Sequence, residues 1–193
     1  MKAKAPLLIA PSVSFLIDNL CPFLYSKKYS CLAKKILGLV ASSTCLVPNV
    51  DKISKNLRVT REAVYNGFIY LEQAGLIQNI YPEARGMKLI RKPGKIYLNN
   101  TNLLYAINGT LPLESNRGAI RETFFSNQLR VNHSLNTHEK TDFTVDQSTI
   151  FEVGGKNKTD EQIRSLQNAY LALDGITVGI GNRIPLYLFG FLY

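Results

Sequence analysis

Cysteine is scarce in this chain: Cys21, Cys31 and Cys45 are the only three, and no CxxC pair occurs. An odd, unpatterned set argues against a disulfide framework. Neither His133 nor His138 has a cysteine near it in sequence, which argues against a zinc site. Thiols of this kind are expected to sit reduced in a core of a cytoplasmic protein. With only two histidines, both in one polar stretch, no Ser-His-Asp or Cys-His nucleophile can be assembled. A GxxxxGK[ST] loop is absent, so ATP is not expected to bind this chain. Long apolar runs are missing too. None approaches the roughly 20 residues that cross a bilayer, and no membrane partner is expected. The start, MKAK followed by APLLIAPSVSFLI, has the charged and apolar parts of an export signal. Pro6 and Pro11 interrupt its apolar run, however, and no A-x-A-like cleavage site follows. Asp18 and Asn19 before Leu20-Cys21 do not suit a lipoprotein signal.

Acidic residues are sparse in one half alone. Residues 1–99 hold 15 Lys and Arg against 5 Asp and Glu, whereas residues 100–193 hold 8 against 9. The whole formal charge of +9 therefore comes from the first half, which suggests a basic binding module joined to a nearly neutral one. Apolar residues make up 46% of the chain, with 10 Tyr and 9 Phe, enough for real cores and against wholesale disorder.

In the basic half, Lys27 to Ser43 reads as an amphipathic helix. Asn49 can cap a short helix from Val50 to Leu57, and Thr60 a longer one ending at Ala74 with Gly75 as a left-handed stop. Two strand-like runs, Leu76 to Tyr81 and Met87 to Ile90, then flank a turn. That order predicts a winged helix-turn-helix. Thr60, Arg61, Tyr65 and Asn66 would face DNA from the recognition helix, with Arg85, Lys88, Arg91 and Lys92 on the wing. The competing reading makes the same unit a protein-docking or spacer module.

The neutral half reads as a strand at Ile96 to Leu98, a helix from Arg117 to Val131 and a polar loop from Asn132 to Lys140. Two strands within Thr141 to Lys158, a helix from Asp160 to Leu173, and strands at Ile176 to Ile180 and Leu186 to Leu192 follow. The predicted class is α+β in two domains, a winged helix over residues 1–95 and a restriction-endonuclease-like α/β domain over residues 96–193.

Within that second domain Glu122, Asp142 and Glu152 are candidate ligands for Mg²⁺ or Mn²⁺, which prefer carboxylate oxygen. Lys156 would orient water or stabilise the charge developing at phosphorus. Asp142 and Glu152 share a face only if three residues, taken as Gln147 to Thr149, close the hairpin between them. A two-residue loop puts them on opposite faces. Structural readings compete at each position. Glu122 would be an exposed helix carboxylate paired with Arg121 or Arg117, and Asp142 would satisfy backbone donors. Glu152, which interrupts the apolar run Ile150-Phe151-Val153, would simply pair with Lys156.

The segments TREAVYNGFIYLEQAGLI, KPGKIYLNNTNLLYAI, RGAIRETFFSNQL, DFTVDQSTIFEVGGKNKTDEQI and IPLYLFGFLY cover most of residues 25–193. In them the chain resembles the C-terminal portion of a family of prokaryotic AAA+-type ATPases. Tails of that family pair a winged helix with a restriction-endonuclease-like domain of unknown function. The resemblance implies an ATPase domain as partner, which this chain lacks, and nuclease-like positions at Glu122, Asp142, Glu152 and Lys156. The Gly154-Gly155 spacing departs from the usual Glu-x-Lys. Two functions follow as expectations: a DNA-associated metal-dependent nuclease module, or a catalytically silent nucleic-acid- or protein-binding regulatory tail of the ATPase.

Overall fold

The computed structural model describes residues 27–43, 46–83, 93–108 and 117–192. Its first layer is helical. Helix α1 (Lys27–Ser42) buries Leu32, Ile36, Leu37 and Val40. The Asn49 side chain accepts a bond from Lys52 N at 3.0 Å and starts α2 (Val50–Leu57), which Arg58 ends in a left-handed conformation with φ 54°. Thr60 Oγ1 accepts from Ala63 N at 3.1 Å and starts α3 (Arg61–Gln73). Both caps satisfy amides that have no partner inside the helix. Gly75, at φ 68°, stops α3 as expected. Helices α1 and α3 approach closely at Gly67, where a Cβ would stand 2.7 Å from Ile36 Cδ1.

The chain then enters β1 (Ile77–Pro82) and β2 (Lys95–Leu98), an antiparallel pair with Ile77 opposite Leu98 and Ile80 opposite Lys95. Helix α4 (Thr101–Asn108) is capped by Asn100, and α5 (Arg117–Leu129) follows. Five further strands complete the fold: β3 (Leu135–Thr137), β4 (Phe143–Val145), β5 (Thr149–Gly155), β6 (Ala169–Asp174) and β7 (Arg183–Pro185). The protein is thus a mixed α+β structure on one seven-stranded sheet of order β2-β1-β3-β4-β5-β6-β7. The pairings β1–β3, β5–β6 and β6–β7 are parallel and the others antiparallel.

The boundary expected between residues 95 and 96 falls inside β2, and the sheet runs through both halves. Strand β2 serves two cores because its side chains alternate. Ile96 and Leu98 join Phe68, Leu71 and Ile77 under the helices, while Tyr97 joins Phe125, Phe143 and Phe151 under α5. Phe125 is the centre of the second core, with ring centroids 4.8 to 5.3 Å from Phe189, Phe151 and Phe143.

Four expected elements differ, and Cys31, expected in a core, is exposed. The region from Asp160 is a series of turns followed by β6, not one helix to Leu173. Strand β6 lies between β5 and β7, so burial in the sheet overrides the helix preference of Leu and Ala. No ladder forms over Ile176 to Ile180, apart from an isolated bridge between Ile180 and Arg183. Leu186–Phe191 is a short 3₁₀ helix rather than a strand, packing Leu186 and Phe189 inward after Pro185 closes β7. The stretch expected to be loop after Asn132 contains β3. The export-signal question, the second wing strand at Met87 to Ile90, and Arg85, Lys88, Arg91 and Lys92 lie outside the described residues.

Candidate functional site: carboxylates bound by lysines

The β4–β5 hairpin decides where the acids fall. Val145 pairs with Thr149 and Phe143 with Phe151, so Asp146, Gln147 and Ser148 form a three-residue loop. Closure begins one residue earlier than expected but keeps the parity that puts Asp142 and Glu152 on one face. The loop is held tightly. Asp146 and Gln147 adopt φ 48° and 57°, and Ser148 N donates to Val145 O at 3.1 Å. Asp146 accepts from Ser134 N at 2.9 Å and meets His133 Nδ1 at 2.6 Å.

Beyond Phe143 the two strands are tied by a side chain. Asp142 Oδ2 accepts from Val153 N at 2.9 Å. Its other oxygen, Oδ1, accepts from Lys95 Nζ at 2.8 Å, and the same ammonium stands 3.7 Å from Glu122 Oε2. Tyr97 donates its hydroxyl to Glu122 Oε2 at 2.5 Å. Lys95 also lies over the Phe143 ring, 5.4 Å from its centroid, a favourable position for a cation. Asp142 thus sits between Glu122 on α5 and Glu152 on β5.

Glu152 is 3% exposed, and Lys158, not Lys156, pairs with its Oε1. The expected pairing assumed an unbroken strand. Strand β5 instead ends at Gly155, Lys156 and Asn157 turn the chain, and Lys158 N donates back to Gly155 O at 2.9 Å. The stem of Lys158 then lies against Gly154, where a Cβ would come within 2.9 Å of its Cβ and Cγ. Gly154 is what allows that approach. Lys156 is exposed, with its stem beside Gly175. Glu152 Oε2 is buried and finds no hydrogen-bond partner among the described residues.

Three carboxylates and two ammonium groups so close together perturb one another. Burial, then the charge of Asp142, pushes the Glu122 carboxyl up to about 7, against the pull of Lys95 and the Tyr97 hydroxyl. Burial and Asp142 also raise Glu152, while Lys158 and Lys95 oppose the rise. A proton on Glu122 would leave the cluster formally neutral.

That balance decides whether a resident divalent cation fits. Asp142 spends one oxygen on an amide and the other on Lys95, and Glu152 gives one to Lys158. Among the described residues no three His, Cys, Asp or Glu side chains gather as a metal-holding group. The orphaned Glu152 Oε2 is an open, buried donor atom. Asp142 and Glu152 each give one oxygen to a lysine and Glu122 Oε2 accepts from Tyr97, so a cation gathering all three acids would compete with Lys95 and Lys158 for them.

On the helical side, Thr60 is exposed and serves as the cap of α3, and Arg61 is exposed and paired with Asp51. Tyr65 is exposed, whereas Asn66 is half-buried. Sequence reasoning missed Lys95, Tyr97 and Lys158 as members of the cluster. For the first two a signal existed: in Lys-Ile-Tyr-Leu the polar residues alternate with apolar ones, so one face of the strand is apolar and the other needs polar partners. No protein-family model, curated protein or solved structure matches the chain.

Proposed function

We propose that this chain is a DNA-associated module combining a winged helix-turn-helix with a restriction-endonuclease-like α/β half, whose acidic cluster is closed by lysines and catalytically silent in this arrangement. The observation that carries the reading is Lys95, whose ammonium bonds Asp142 and neighbours Glu122 where a nuclease would gather a metal. A lysine there neutralises the acids without supplying activated water. DNA association rests on the excess of ten positive charges in residues 1–99 and on the exposed start of α3. In the family the chain resembles, such a unit would serve as the nucleic-acid-binding tail of an ATPase.

One observation favours the alternative, a metal-dependent endonuclease. The hairpin register puts Asp142 and Glu152 on one face beside Glu122, and displacement of Lys95 would release carboxylate oxygens. Plasmid nicking in Mn²⁺ separates the two. The silent reading predicts equal background nicking by wild type and Glu152→Ala. Cleavage by wild type that Glu152→Ala abolishes would replace it with the nuclease. DNA binding itself predicts a steep fall in affinity with salt, whereas a flat response points to a protein partner.

A further inference from the structure

The second half of the chain is close to neutral, yet its cations are not evenly spread. Of the 8 Lys and Arg in residues 100–193, four line a single pocket of about 530 Å³: Arg117, Arg121, Lys156 and Lys158. Among the described residues, Asp174 is the only acid in its lining. Arg117 and Arg121 come from the first turns of α5, Lys156 and Lys158 from the turn after β5, and Asp174 from the end of β6. Three elements far apart in sequence therefore bring four cations to one pocket, two of them paired within the chain, Arg121 with Asp174 and Lys158 with Glu152.

The walls suit an anion. Arg121 is fixed by its Nε bond to Asp174 Oδ2 at 2.9 Å. Its guanidinium nitrogens lie 3.2 and 3.3 Å from where a Cβ on Gly155 would stand. Gly155 therefore leaves room for the guanidinium to lie against the backbone, oriented before any ligand arrives. Lys156 is exposed, its stem supported beside Gly175. The α5 dipole adds partial positive charge at the same end of that helix. Lys158 connects the pocket to the acidic cluster, because its ammonium is the partner of Glu152.

We propose that this pocket binds a phosphate group of a nucleic-acid backbone. The assignment rests on the DNA-associated reading above and deepens it, giving the nearly neutral half its own contact with the polyanion. Fixed arginines suit phosphate oxygens, since a guanidinium presents paired donors in a plane. A phosphate seated here would also compete with Glu152 for Lys158.

The test uses the full 193-residue chain and a fluorescent duplex, titrated at several salt concentrations. Variants are Lys156→Gln and the double variant Arg117→Gln/Lys156→Gln, with Arg61→Gln as the control on the helical face. Each lost phosphate contact should lower the slope of log K against log salt by about 0.9 on duplex DNA. The double variant should therefore lower it by about 1.8 and weaken binding on the order of tenfold or more near physiological salt. Because Lys156 is exposed, its single variant guards against a folding artefact and should show half the slope change. Wild-type binding with unchanged slopes in both pocket variants overturns the pocket while leaving DNA association standing. No salt-dependent binding by wild type overturns both. A wild-type melting temperature raised by inorganic phosphate at constant ionic strength, and not in the double variant, would make this a free-phosphate site and overturn the backbone assignment.

Discussion

Glu122 offers the sharpest test of the cluster, because its carboxyl is held up to about 7 against an ordinary value near 4.5. Below about pH 4.5 it is protonated in both the folded and the unfolded chain and does not affect stability. Between the two values the unfolded chain ionises while the folded protein keeps its proton, so stability falls as pH rises. Above pH 7 the loss is complete. At 1.36 kcal/mol per pH unit, it amounts to roughly 3 kcal/mol. Glu122→Gln removes this penalty. The amide is neutral at every pH, nearly the same shape, and its oxygen can still accept from Tyr97.

The two proteins should therefore be nearly equal in stability at pH 4.5, with the variant pulling ahead as pH rises. For a chain of this size the gap at pH 8 corresponds to roughly 6 to 12 °C in melting temperature. Thermal unfolding of both proteins at half-unit steps from pH 4.5 to 8.5 measures it. Asp146 and Asp160, held below the usual carboxylate range by His133 and Arg164 respectively, shape each profile alone but cancel in the difference. Parallel profiles would refute the reasoning. So would a variant that loses ground as pH rises, since that would mean Glu122 is ionised and its pairing with Lys95 outweighs burial.

Lys158→Met should cost about 2–3 kcal/mol at pH 8, below the usual range for breaking a buried pair because Lys158 is partly exposed. The cost should shrink at pH 5, where Glu152 can take a proton; urea unfolding at the two pH values checks this, and an equal loss at both would remove Lys158 as the partner. Gly154→Ala would force its Cβ to within 2.9 Å of the Lys158 stem and should destabilise by about 1–3 kcal/mol. Gly38→Ala, in α1 with nothing within 4 Å, should instead stabilise by about 0.5–1 kcal/mol. Equilibrium denaturation of the pair distinguishes a glycine required by contact from one that is not.

Where local chemistry determines structure, the sequence was readable. Asn49 and Thr60 cap the helices their positions announce, and Gly75 ends α3 in the left-handed conformation its place after Ala74 implies. Glu152 stood out because a charge in an apolar run needs a partner. Its partner was expected to be Lys156 and is Lys158, because the pairing depends on where β5 stops and the chain turns. Strand β6 reads as helix because its centre, Leu171 to Leu173, is fully buried. A strand covered on both faces loses the alternation that marks one, and Leu-Ala-Leu then resembles helix. The alternation in Lys-Ile-Tyr-Leu marks Lys95 as needing a polar partner but not which one. Its partner Asp142 is 47 residues away, and only the order β2-β1-β3-β4 brings the two together.

That long-range pairing bears on what the cluster does. Lys95 and Ile96 are neighbours on one short strand, yet Ile96 completes the helical core and Lys95 neutralises acids beside the second. Shifting β2 by one residue would send the lysine under the helices and the isoleucine toward Asp142. Both exchanges are costly, because a buried charge without its partner is worse than either correct arrangement. The ion cluster thus penalises wrong registers of β2 more than it adds to stability in the right one. A metal drawing on Asp142 Oδ1 would compete with Lys95 for it, so metal binding there and the alignment of β2 through Lys95 oppose each other. If Mn²⁺ supports cleavage by this chain, that competition predicts that Lys95→Met raises the rate in a plasmid-nicking assay; a lower rate would show that Lys95 assists the site rather than closing it.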